Sequence, residues 1–145
     1  MKSIYDKVRD FKSKYPKCIA FRLSKHSSVI QEHLYDGEKV NYVFCGQKNE
    51  TFISLFKSCV VAVTDQRLIV GQKRIFWGYF FTSVTPDLYN DLKVINNLIW
   101  SDVNIDTVSE KIYISNLDPK AAIEISKNIT KFMMEEKKKY GKKNN

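Results

Sequence analysis

The sequence predicts an α+β, mainly β domain with helices at both ends, and three observations carry that prediction. From Glu38 onward apolar residues recur at every second position, in about seven short runs separated by turn residues. Both flanks repeat at helical spacing instead. At the centre stands "VVAVTDQRLIVGQ", Val60 to Gln72, whose two apolar runs enclose the tetrad Thr64-Asp65-Gln66-Arg67 and read as a tight hairpin.

Ser3 followed by Ile4, Val8, Phe11 and Tyr15 predicts a capped amphipathic helix ending before Pro16. A second helix is expected in "SSVIQEHLYDG", capped by Ser27 or Ser28 and stopped by Gly37. The link "KCIAFRLSK" fits neither period. Val40, Tyr42 and Phe44 alternate with Asn41, Val43 and Cys45 in a first strand that runs into a loop beginning "GQKNE". With Asp65-Gln66 as a two-residue turn, Val63 faces Leu68 and Val61 faces Val70, while Val60, Ala62 and Ile69 lie on the other side of the ribbon.

A loop carrying Lys73 and Arg74 then leads into an aromatic run, Phe76, Trp77, Tyr79, Phe80 and Phe81, that reads first as strand core. Thr85-Pro86-Asp87 marks a turn. "DLKVI", "LIWSDVNIDT" and "KIYIS" complete the strands, the second with Ile99, Val103 and Ile105 on its dry side. Asp118 as N-cap and Pro119 at the first helical position open a final helix with Ala122, Ile125, Ile129, Phe132 and Met133 on one stripe, fading in a lysine-rich tail. The expected organisation is a helical extension over 1–37, a domain over 38–140 and a disordered basic tail over 141–145.

The 145 residues carry a net charge of +8, but residues 1–37 hold eight Lys/Arg against four Asp/Glu, the middle ten against ten and the last sixteen six against two. Basic ends around a neutral middle do not make the stripe with readout side chains that nucleic acid requires, so nucleic acid is not the expected partner. "CVVAV" and "IFWGYFF" fall far short of the roughly twenty apolar residues that cross a bilayer, and the N-terminus has no signal-peptide apolar core. A cytoplasmic protein is expected, with Cys18, Cys45 and Cys59 as free buried thiols. His26 and His33 lack the neighbours of a zinc spacing, and no nucleophile elbow or phosphate-cradling glycine loop occurs. No metal, cofactor or catalytic residue is expected.

"HLYDGEKVNYVFCG" (His33 to Gly46) resembles the "L-x-x-G-E-x-v" opening of the bacterial pleckstrin-homology families, and "VAVTDQRLIV" (Val61 to Val70) resembles their "v-x-l-T-d-x-R-l-i" hairpin. "LKVI", "LIWSDVNID" and "KIYISNLDPKAAIEI" are similar to their later strands and helix, most closely those of the YokE-like group. The resemblance covers about residues 33–135. It implies a PH-like barrel of about seven antiparallel strands capped by the C-terminal helix, working as a non-catalytic interaction module that often forms homo-oligomers. Thr64, Asp65 and Arg67 then read as structural turn residues, with Glu38 or Asp65 as the carboxylate for Arg67.

Two interaction surfaces follow. A closed barrel buries one face of its hairpin, so Val60, Ala62 and Ile69 ask for a cover: the helix bearing Ile4, Val8 and Phe11, the C-terminal helix, another copy of the chain or another protein. Phe76 and Trp77 are included in this apolar surface, and the aromatic run to which they belong also has the composition of a membrane wedge or a base-stacking platform. Self-association or protein binding there is the main expectation. The alternative is peripheral binding to anionic membrane through Lys48, Lys57, Lys73, Arg74 and the basic ends. Lipid-binding relatives of this fold, as the resemblance implies, would usually place an arginine where this chain has Cys59.

Overall fold

The computed structural model describes residues 2–49 and 56–143. Helices α1 (Ile4–Lys14) and α2 (Leu23–His33) precede strands β1 (Val40–Lys48), β2 (Ser58–Thr64), β3 (Leu68–Lys73) and β4 (Tyr79–Val84). A single 3-10 turn, Pro86–Leu88, leads to β5 (Tyr89–Asn96), β6 (Ser101–Thr107), β7 (Lys111–Leu117) and helix α3 (Pro119–Lys143). All seven strands form one antiparallel sheet in the order β4-β3-β2-β1-β7-β6-β5, curled into a half-barrel. α3 fills its mouth, burying Ala121, Ala122, Ile125, Ile129 and Met133. This is the mainly β, PH-like architecture expected from the sequence.

Local chemistry sets the boundaries. Ser3 caps α1 through the Asp6 amide at 3.1 Å, and the Asp6 carboxylate accepts in return from the Ser3 amide at 3.3 Å, a complete capping box. Asp118 accepts from the Lys120 amide at 2.9 Å and opens α3. α2 starts four residues before Ser27, because Arg22 takes a left-handed φ of 55° and turns the chain at Leu23. Ser27 and Ser28 therefore lie inside the helix rather than at its cap. β1 continues through Gly46 and Gln47 to Lys48, where a loop was expected. The expected tail is helical as far as Lys143.

The hairpin register is the expected one, Val61 opposite Val70 and Val63 opposite Leu68. Its outer side is where the structure departs from expectation. Val60, Ala62 and Ile69 are completely buried within the single chain, so they offer no interaction surface. Their cover is α2. Val60 pairs with Gly71, and a Cβ on Gly71 would stand 2.6 Å from Ile30 Cγ1 and 3.2 Å from the His26 carbonyl. α2 thus sits against backbone on the face that Val60, Ala62, Ile69 and Gly71 share. Helix α1 leans on β1, with Phe11 packing 6.2 Å from Phe44 and 6.4 Å from Tyr42 between ring centroids. Glu124 of α3 accepts from the Tyr42 and Tyr15 hydroxyls at 2.8 and 3.1 Å and so ties α1, β1 and α3 together.

Gly71→Ala is expected to destabilise the protein by about 1–3 kcal/mol, because neither Ile30 nor the α2 backbone can retreat without opening the layer. Urea unfolding measures the loss; a neutral result would mean that α2 does not lie against Gly71.

Candidate functional site

Arg67 is 3 % exposed and its guanidinium grips Glu38 in a fork, Nε to Oε2 at 3.0 Å and Nη2 to Oε1 at 3.0 Å. Nη2 also donates to the His33 carbonyl at 2.9 Å, and Tyr35 stacks 4.0 Å from the guanidinium carbon. The Thr64 hydroxyl donates to Glu38 Oε2 at 2.6 Å and accepts from the Gln66 and Arg67 amides at 3.1 Å, which closes the turn. Asp65 is not the Arg67 partner; its carboxylate accepts from the Lys39 amide at 3.0 Å. Burial pushes the Glu38 carboxyl up, but hydrogen bonds from Arg67, Thr64 and the Tyr35 amide together outweigh it and hold the group below its ordinary 4.5. The cluster ties the end of α2 to the β2–β3 turn.

The opposite end of the same sheet carries the exposed chemistry. The β3–β4 hairpin closes with the Arg74 amide donating to the Gly78 carbonyl at 3.1 Å, Gly78 taking a φ of 79°. That tight closure lifts Phe76 and Trp77 out of the sheet, 84 % and 81 % exposed and 6.1 Å apart between rings. They form a tip, not the strand core their run predicted; only Tyr79, Phe80 and Phe81 enter β4. Lys48, the last residue of β1, lays its Nζ 3.1 Å from the centroid of Phe80. Burial lowers the Lys48 ammonium, and nearby Lys57 and Arg74 lower it further against the opposing pull of Cys59 and Glu110. Lys57 and Arg74 thus lie within electrostatic reach of Lys48, and Arg74 itself belongs to the closure of the tip. Lys73 leaves β3 on the α2 face with Gly71.

Two residues that sequence reasoning did not single out for this role, His26 of α2 and Arg22 at its N-cap, hold the base of the tip. The His26 Nδ1 accepts from the Lys73 amide at 2.8 Å, and Arg22 Nη1 donates to the Lys73 carbonyl at 3.2 Å. Burial, reinforced by Arg22, pushes His26 down to about 4, so the ring is a neutral acceptor at physiological pH. Gln72 Nε2 donates to the Ser58 and Phe56 carbonyls at 2.9 and 3.2 Å and ties the far side of the β1–β2 loop to the same base. The centre of that loop, including Glu50, lies outside the described residues. Among the described residues no group of three or more His, Cys, Asp or Glu side chains could hold a metal ion, and none of their helices is long and apolar enough to cross a membrane.

Residues 34–131 match the family described as Bacterial PH domain, a span that runs from the end of α2 into α3. The chain belongs to this family. No curated protein and no solved structure matches it. Bacterial PH domains as a family are interaction modules, generally without catalysis, and the match is at the level of the family rather than the YokE-like group. In this bacterial PH domain the Glu38–Arg67 pair joins the matched segment to the helices that precede it.

Arg67→Met is expected to cost about 3–5 kcal/mol in urea unfolding, because it strands a buried carboxylate. The double variant Glu38→Leu/Arg67→Met should lose less than this single one. Since the folded carboxyl of Glu38 titrates below its unfolded value, its contribution is full above 4.5 and is lost as pH falls through the folded value. Glu38→Gln should therefore flatten the acid limb of the stability profile, and an unchanged limb would contradict this assignment.

Proposed function

We propose that this bacterial PH domain docks peripherally on anionic membrane through the β3–β4 tip. The observation that carries the reading is the pair of aromatic side chains, Phe76 and Trp77, exposed at a held hairpin tip that Arg74 closes, with Lys48 and Lys57 within electrostatic reach of one another at the same end of the sheet. Aromatic side chains of this kind partition into the interfacial layer of a bilayer. Each cation near an anionic surface adds about 1 kcal/mol. The main expectation from the sequence, association through the outer face of the hairpin, has lost its surface to α2. An apolar tip flanked by positive charge suits a lipid headgroup layer, where both components find partners at once.

Co-sedimentation with vesicles tests the proposal. Binding is expected to anionic and not to zwitterionic vesicles, to weaken with salt, and to fall in Phe76→Ala/Trp77→Ala and in Lys48→Ala/Lys57→Ala/Arg74→Ala. Trp77 emission should shift to the blue on vesicle addition, a shift absent in Trp77→Phe. No anionic-vesicle binding, or binding that ignores lipid charge, removes the proposal.

A further inference from the structure

The link between α1 and α2, residues 15–22, lies before the family's matched span. Two bonds fix its far end to the sheet. The Phe21 amide donates to the Ser58 hydroxyl at 2.8 Å, and Arg22 Nη1 donates to the Lys73 carbonyl at 3.2 Å. Ser58 opens β2 and Lys73 closes β3, so in these antiparallel neighbours both stand at the sheet end that carries the tip. The Ser58 carbonyl in turn accepts from Gln72 Nε2, which also reaches the Phe56 carbonyl. Link, β1–β2 loop and tip hairpin are thus bonded to one another, and the first two also show an aromatic side chain to solvent, Phe21 39 % and Phe56 64 % exposed. Arg22 follows Phe21 in sequence and Lys57 follows Phe56, while residues 15–31, 56–64 and 66–86 contain no Asp or Glu. Glu110, which acts on Lys48, comes from the β6–β7 turn and accepts from the Thr82 hydroxyl at 2.9 Å.

We propose, resting on the reading of the tip as a membrane contact, that Phe21 is a second one: the link ahead of α2 enters the same anionic bilayer and sets the orientation of the domain on it. A hairpin inserted alone leaves the barrel free to swing about its tip. A second aromatic side chain, carried by a different segment and held by its own bonds to β2 and β3, removes that freedom. Those bonds exist before docking, so placing the ring on the lipid costs little further ordering. A half-exposed phenylalanine next to an arginine, in a stretch without carboxylates, suits the boundary where a ring meets acyl chains and a guanidinium meets phosphates. The contact is supplied by chain outside the family's span, so it is a property of this protein's own extension.

Co-sedimentation of the full chain with vesicles of phosphatidylcholine and phosphatidylserine, run alongside the tip variants, tests this. Phe21→Ala is expected to weaken binding by about tenfold, in keeping with the apolar area that the ring withdraws from water, while Phe21→Trp keeps it. At saturating lipid, brominated phosphatidylcholine should quench the emission of Phe21→Trp/Trp77→Phe more than that of Trp77→Phe alone, a readout that a merely structural role for Phe21 does not give. Binding that depends on Phe76 and Trp77 yet is unchanged in Phe21→Ala, or a Phe21→Trp side chain that brominated lipid fails to quench, overturns this inference and leaves the tip reading standing. No binding to these vesicles at all removes both.

Discussion

The interaction on which the rest of the structure depends is the buried fork between Arg67 and Glu38. It gathers the carbonyl that ends α2, the amide of Tyr35, the hydroxyl of Thr64 and the start of β1 around two charges that water cannot reach. A buried pair of this kind adds little net stability, because desolvation offsets attraction, but separating it is costly. Its consequence is geometric. The chain leaving α2 can turn into β1 in one way only, and α2 is thereby set on the outer face of β2, β3 and β4. His33 makes the seat visible, its ring stacked 4.4 Å from Phe81 at an angle of 22°.

From that seat the helix reaches the other end of the sheet. Ile30 packs over Gly71, and one turn earlier His26 and Arg22 hold both backbone groups of Lys73. The strand that carries the tip is thus anchored where it leaves the sheet, and the exposed aromatics stand on a fixed base. A preorganised tip loses less entropy on docking than a mobile one. The residues before the family's matched span therefore do two things, sealing an apolar face and positioning the candidate binding loop.

Much of this was legible in the sequence where local chemistry decides the outcome. The Thr64-Asp65-Gln66-Arg67 turn, the Ser3 cap of α1 and the Asp118-Pro119 start of α3 each satisfy their own backbone groups, so spacing alone located them. What was not legible depends on tertiary contact. α2 begins at an arginine in a left-handed conformation with no side-chain cap, and nothing local announces it. The outer cover of Val60, Ala62 and Ile69 comes from α2, whose core-facing residues include a histidine and a serine that polarity alone places outside. Apolar runs also misled at two turns. Leu98, 98 % exposed, and Ile99 form the β5–β6 turn, and Phe76 and Trp77 form the β3–β4 tip, because a hairpin closes where the register requires it.

The central claim is that one buried ion pair seats α2 and that α2 in turn holds the tip. Amide hydrogen exchange in the wild type and in Arg67→Met tests it most directly. The account predicts a protected Lys73 amide in the wild type, and in the variant a joint loss of protection across α2 and at Lys73 while β6 and β7 keep theirs. A Lys73 amide that exchanges freely in the wild type, or α2 protection indifferent to the loss of Arg67, would contradict it.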